Sequence, residues 1–171
     1  MDLSTRLIHE HNISNKEQAV VSPLFASTTF ERGIDGTDFP GGFIYSRYDN
    51  PNRHLLEEKL AMLEGGAGCI SFASGMAAVA AVFQTLQSGD HVLLPDDSYF
   101  AVKNLAQIVF SRFGITYSTV DMTIPEKVKA SLQRNTRIIW IETPSNPLLK
   151  ITDIVTIAQL AKTHNCITVV D

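Results

Sequence analysis

From residue 52 onward, short apolar runs rich in β-branched residues alternate with stretches patterned for helix, and this alternation restricts the fold more than any other feature. Asn52 is placed to cap a helix whose apolar positions Leu56, Leu60 and Leu63 fall at i, i+4 and i+7, and Gly65-Gly66 is placed to stop it. The runs Cys69–Phe72, His91–Leu94, Ile115–Val120, Arg137–Ile141 and Ile167–Val170 read as five strands. Between them the pattern predicts helices over about 75–87, 99–113, 125–132 with Pro125 at its first position, and 153–164 capped by Asp153. Every connection is long enough for a crossover. The expected fold class is therefore α/β, a three-layer and mostly parallel sheet with helices on both faces.

The first 51 residues behave differently. Periodicity is poor, and turn formers crowd Arg32-Gly33-Ile34-Asp35-Gly36 and Phe39-Pro40-Gly41-Gly42. The stretches Val20-Val21 and Thr28-Thr29-Phe30 are too short to build a core. The expected organisation is an arm over residues 1–51, lying on the rest of the chain or on a second subunit, followed by one α/β domain over 52–171.

Composition narrows the function classes. Fourteen Lys and Arg against 18 Asp and Glu leave a net charge of −4 over 171 residues, which argues against nucleic acid as a partner because no basic stripe exists. With 44% apolar residues the chain has enough material for a core without staples. Cys69 and Cys166 stand singly in apolar runs, so neither a metal site nor a disulfide is expected, and a reducing cytoplasm is the natural setting. Asp2, Arg6, His9, Glu10 and His11 interrupt the place where a signal peptide would be apolar, and no run approaches the ~20 residues of a membrane span.

In an open parallel sheet, ligands bind beyond the carboxyl ends of the strands. The residues there are Ala73-Ser74-Gly75-Met76, Asp96-Asp97-Ser98-Tyr99, Asp121, Glu142-Thr143-Pro144-Ser145-Asn146-Pro147 and Asp171. Carboxylates at the ends of buried strands are costly to desolvate unless a cation stands near. Ser74-Gly75 opens a helix directly after an apolar run, which offers free N–H groups to a phosphate; a plain N-cap reads equally well. Gly65, Gly66 and Gly68 precede that run, the wrong order for a dinucleotide-binding loop.

Four segments resemble one family in register across nearly the whole chain. Tyr45-Ser46-Arg47-Tyr48-Asp49-Asn50-Pro51-Asn52 is similar to the Y-S-R-x-x-N-P-T segment of the cystathionine synthase and lyase family, the pyridoxal-phosphate enzymes of cysteine and methionine metabolism. Leu63-Glu64-Gly65-Gly66 with Ser74-Gly75-Met76-Ala77-Ala78 resembles its L-E-G…S-G-M-A-A, Glu142–Pro147 its E-T-P-x-N-P, and Val169-Val170-Asp171 its V-V-D. The resemblance implies an aspartate-aminotransferase-like domain, here its first part, holding pyridoxal 5′-phosphate. It implies a small sulfur amino acid as substrate, trans-sulfuration as the chemistry, and a homodimer or homotetramer. It also implies roles: Asp171 partners the pyridine nitrogen, and the backbone of Ser74, Gly75 and Met76 holds the phosphate. Tyr99 stacks on the ring and assists proton transfer, and Asn146 lies near cofactor or substrate. Tyr45 and Arg47 reach the phosphate of a neighbouring subunit, for which a planar guanidinium is suited.

Two departures matter. The family usually has small residues after the stacking tyrosine, whereas Phe100-Ala101-Val102 follows Tyr99. The family's Schiff-base lysine lies in an S-x-T-K loop, and none of Lys16, Lys59, Lys103, Lys127, Lys129, Lys150 and Lys162 stands in that context. The chain is expected to be the first part of a longer enzyme and inactive by itself. The alternative reading is a non-catalytic interaction or regulatory module on the same fold.

Overall fold

A computed structural model describes residues 2–9 and 20–171. They form two compact units that divide after Ser71.

The first unit is built around a helix. Helix α1 spans Leu3–His9 and helix α2 Pro51–Glu64, and residues 20–50 are largely irregular. The cap of α2 is Asn50 rather than the expected Asn52: Asn50 accepts the N–H of Asn52 at 2.9 Å, and Pro51 takes the first helical position, where its missing N–H costs nothing. Asn52 is thereby freed for another task. Its side-chain amide accepts the Phe25 N–H at 3.0 Å and donates to the Phe25 carbonyl at 2.8 Å, clamping the preceding segment to the helix. Arg53 adds donor contacts to the carbonyls of Ser46 and Tyr48. Gly65 ends the helix in the left-handed region at φ 62°, as the glycine pair predicts.

The second unit is a parallel sheet of four strands, β1 (His91–Pro95), β2 (Thr116–Val120), β3 (Thr136–Ile141) and β4 (Ile167–Val170), in the order β2-β1-β3-β4. The period of two along the strands divides the core. Val92, Leu94, Ile138 and Trp140 face helix α3 (Gly75–Phe83) and the helical run after Tyr99. Leu93, Ile139 and Ile141 face helices α5 (Pro125–Ser131) and α6 (Ile154–Thr163) through Val128, Ile157 and Ala161. Three layers result, as the alternation predicts.

The expected strand over Cys69–Phe72 does not form. A strand requires a hydrogen-bonding neighbour, and among the described residues none pairs with it; the Ser71 N–H goes instead to Glu57 at 2.8 Å, and Ile70 is 75% exposed. The helix expected over 75–87 stops at Phe83, beyond which Thr85 folds its hydroxyl back onto the Val82 carbonyl. The run expected as one helix over 99–113 is continuous but mixed: α4 (Phe100–Asn104), a π-helical turn over Leu105–Val109, and a 3-10 turn over Phe110–Phe113. Its buried residues, Val102, Ala106 and Phe110, are spaced by four. Successive fours drift around an α-helix, and the wider π turn returns them to one line against the sheet. Gly114 closes the run at φ 77°, where a Cβ would stand 2.3 Å from the Ser88 hydroxyl.

At the amino end of β1, His91 is 1% exposed. Nδ1 lies 2.9 Å from the Thr136 hydroxyl, and Nε2 lies 3.0 Å from Ser118 Oγ and 3.2 Å from the Gln133 amide nitrogen. The partners suit a neutral ring protonated at Nδ1, with Nε2 accepting from Gln133. Burial lowers its pKa from the ordinary value, so protons bind the unfolded chain better. The neutral ring's contribution is complete above about pH 6.5 and is lost as pH falls toward the lowered folded value. The melting temperature is expected to drop between about pH 7 and 5, and His91→Gln is expected to flatten that drop. A pH profile of thermal unfolding identical in the two proteins would contradict this.

Candidate active site at the switch between β1 and β3

The sheet order creates a crevice. From β1 the chain crosses one face to β2; it then crosses the opposite face, past β1, to β3 and on to β4. Connections running in opposite directions use opposite faces, as right-handed crossovers require, and at the reversal the loops part. The reversal lies between β1 and β3. The loops leaving these two strands carry Asp96-Asp97-Ser98-Tyr99 and Glu142–Pro147, and a cavity of about 280 Å³ there is lined by Asp97, Ser98, Tyr99, Phe100, Lys103, Asn146 and Pro147.

Tyr99 and Asn146 are brought together through a residue between them. Glu142, 7% exposed, accepts the Tyr99 N–H at 2.7 Å through Oε2 and the Asn146 N–H at 2.9 Å through Oε1. The two loops are tied again by the Ser145 hydroxyl donating to Asp97, and by Lys150 Nζ at 2.9 and 3.1 Å from the Asp96 carboxylate. That hydrogen bond, and the charge of Asp96 and Asp121, raise the Lys150 pKa. The Tyr99 ring is 39% exposed and meets Phe100 edge-on with centroids 5.0 Å apart. The bulky residue after the tyrosine thus forms part of the crevice wall.

Asp171 leaves β4, its N–H donating to the Ile141 carbonyl at 2.8 Å. Burial of its carboxyl, and then the like charge of Glu142, raise its pKa above the usual carboxylate range. A cation at this point would offset the charge of both carboxylates.

Ser74 caps α3, accepting the Ala77 N–H at 3.2 Å. The N–H groups of Gly75 and Met76 have no acceptor among the described residues, and space around Gly75 is open for 4 Å about a virtual Cβ. Met76, at the start of α3, packs on the core that contains Trp140.

Tyr45 and Arg47 belong to the first unit. Tyr45 pairs with Thr29 in an isolated antiparallel bridge, and the exposed Arg47 guanidinium lies 5.3 Å from the Tyr45 ring centre and 5.8 Å from that of Tyr48. No carboxylate pairs with Arg47 among the described residues.

Sequence reasoning missed the linking role of Glu142. It marked the residue as a strand-end carboxylate in want of a cation, whereas its partners are two main-chain amides. The available signal was that a carboxylate directly ending a fully buried strand must be satisfied locally, by N–H groups as readily as by charge.

A family model described as Cys/Met metabolism PLP-dependent enzyme matches residues 4–171. A cystathionine beta-lyase MetC of Staphylococcus haemolyticus is 47% identical over 149 residues, covering 87% of this chain and 38% of that protein. The structure of metB from Corynebacterium glutamicum superposes with a TM-score of 0.93 at 38% identity, covering 100% of this chain and 45% of that one. That of a cystathionine gamma-lyase from Lactobacillus plantarum, complexed with L-serine, gives 0.90 at 36% identity, with 100% and 44% covered. The chain spans less than half the length of each. With the family model covering almost the entire chain and the fold reproduced throughout, this protein belongs to the pyridoxal-phosphate-dependent enzymes of cysteine and methionine metabolism.

Proposed function

We propose that this chain forms the cofactor-holding part of an enzyme that carries out elimination or replacement at Cβ or Cγ of a sulfur amino acid or an activated homoserine. The observation that carries the reading is the convergence of Tyr99, Asn146 and Asp171 around Glu142 at the switch point. The residues fit pyridoxal 5′-phosphate. Two unbonded N–H groups at the start of α3, with open space before them, suit a phosphate dianion. A carboxylate held above its usual pKa by desolvation and a like charge suits the N–H of a pyridinium.

When bound, the cofactor supplies an electron sink for negative charge developing on the substrate carbon. Asp171 holds the ring nitrogen in its charged form. The backbone at Gly75 and Met76 would hold the phosphate. Tyr99 would stack on the ring and assist proton transfer, and Asn146 would lie near cofactor or substrate. In a homodimer or homotetramer, Tyr45 and Arg47 complete the phosphate site of a neighbouring subunit; the stacking of Arg47 on two tyrosine rings holds its charge extended for that contact.

The test is turnover by the full-length protein loaded with pyridoxal 5′-phosphate. Ammonia and a 2-oxo acid released from cystathionine identify elimination, and cystathionine formed from an activated homoserine and cysteine identifies replacement. Cofactor bound with neither product formed would favour the non-catalytic module instead.

The 171-residue chain by itself is expected to lack this chemistry. Lys150 is held by Asp96, Lys103 donates to the Asp96 carbonyl, and Lys129 and Lys162 are exposed on helices; Lys16 lies outside the described residues. The Asp96 carboxylate raises the Lys150 pKa, the opposite of what an amine poised for covalent catalysis needs. Incubation with pyridoxal 5′-phosphate, borohydride reduction and mass spectrometry should give scattered labelling below stoichiometry. Stoichiometric labelling of a single lysine, with turnover, would contradict the expectation.

A further inference from the structure

We propose that Glu142 is the positioning residue of this site: one buried carboxylate holds the main-chain amides of Tyr99 and Asn146, and so sets how groups delivered by two different strands stand relative to each other. The inference rests on the cofactor reading for the roles of Tyr99 and Asn146, and on geometry for the rest.

Each carboxylate oxygen has its own task, Oε2 at 2.7 Å from the Tyr99 nitrogen and Oε1 at 2.9 Å from that of Asn146. Neither contact duplicates the other. Neither amide belongs to a strand ladder: Tyr99 immediately precedes α4, which has no side-chain cap, and Asn146 lies in the loop after β3. Both N–H groups would otherwise be orphaned at the crevice wall. Glu142 is itself rigid, because it follows Ile141 at the end of a strand buried on both faces. The anchor therefore moves with the sheet while the anchored residues belong to loops. The Ser145–Asp97 and Lys150–Asp96 contacts tie the same loops together, but they end on neighbours of the site residues rather than on the residues themselves. No cation pairs with Glu142 among the described residues, so its charge is balanced by the two amide dipoles and stays available to the crevice. It adds to the negative field around Asp171.

The experiment is amide NMR on the whole chain, titrated with pyridoxal 5′-phosphate. In the wild-type protein the Tyr99 and Asn146 amides should exchange with solvent at least about tenfold more slowly than that of Leu148, whose N–H makes no bond among the described residues. Both should shift on one binding curve with Gly75 and Met76. In Glu142→Gln, whose side chain keeps one acceptor oxygen, the Gly75 and Met76 amides should still respond, with about tenfold weaker apparent binding, while at least one of the Tyr99 and Asn146 amides exchanges faster and leaves the common curve. Glu142→Asp, charged but one methylene short, should recover at most one of the two amides.

Unprotected exchange at either amide in the wild type overturns the proposal, as does a Glu142→Gln variant with wild-type exchange and an unchanged titration. Should the variants not fold, the wild-type data decide: separate curves for Tyr99 and Asn146 overturn the proposal, and a common curve with matched protection supports it. A wild-type chain in which Gly75 and Met76 never respond would sink the cofactor reading, while the exchange rates still judge the clamp.

Discussion

Replacing Asp171 with Ala in the full-length protein is expected to lower turnover by about two to three orders of magnitude, the loss typical when one preorganised electrostatic partner of a reacting system is removed. Cofactor affinity should fall with it. The reason lies in the charge balance at the end of β4. Two carboxylates, Asp171 and Glu142, repel each other in a partly desolvated crevice, and a pyridinium N–H would make their proximity favourable. Asp171→Asn keeps the volume and can hydrogen-bond the ring nitrogen, but it removes the charge that keeps that nitrogen protonated. It should therefore behave nearly as the Ala variant does. Steady-state kinetics together with the dissociation constant of pyridoxal 5′-phosphate check this. Wild-type turnover and affinity in both variants would remove Asp171 from the site.

A comparably large effect on stability is expected at Phe83. Its side chain is fully buried, 5.2 Å from the Phe110 ring and 6.0 Å from the Trp140 ring between centroids, where the end of α3 meets the helical run and β3. Truncation to Ala removes the aromatic volume from the centre of one of the two cores and should cost about 3–5 kcal/mol. Against a typical domain stability of about 5–15 kcal/mol, that leaves the second unit near its unfolding threshold. Chemical denaturation followed through Trp140, the protein's single tryptophan, measures it. A loss below about 1 kcal/mol would mean that the site collapses around the truncation, and that α3 is not held by this cluster.

The α/β alternation was legible because it depends on local patterns: short continuous apolar runs rich in β-branched residues for β1, β3 and β4, and spaced apolar positions with a cap for α6. What failed was relational. Cys69–Phe72 has the composition of a strand, but strand formation is decided by a neighbour, and no described residue provides one. The run after Tyr99 was readable as helical, yet its π turn follows from keeping Val102, Ala106 and Phe110 against the sheet, a tertiary demand that overrides the α period. The cap at Asn50 was within reach of sequence reasoning, since a proline prefers the first helical position and Pro51 sits between the two asparagines. At the site, the strand ends identified where polar groups gather, because a buried parallel sheet leaves them nowhere else to go. The Glu142 contacts were not legible. They join amides of residues 99 and 146, and only the placement of β1 beside β3 brings those together.

The switch-point crevice is proposed as the seat of pyridoxal 5′-phosphate, completed by a second subunit. The most direct test is a crystal structure of the assembled full-length protein with that cofactor bound. The account predicts the phosphate at the N–H groups of Gly75 and Met76, the pyridine nitrogen at the Asp171 carboxylate, the Tyr99 ring stacked on the pyridine, and Arg47 of a neighbouring subunit within salt-bridge distance of the phosphate. A cofactor seated away from the carboxyl ends of β1, β3 and β4, or a site in which Tyr99 and Asp171 touch no cofactor atom, would contradict it.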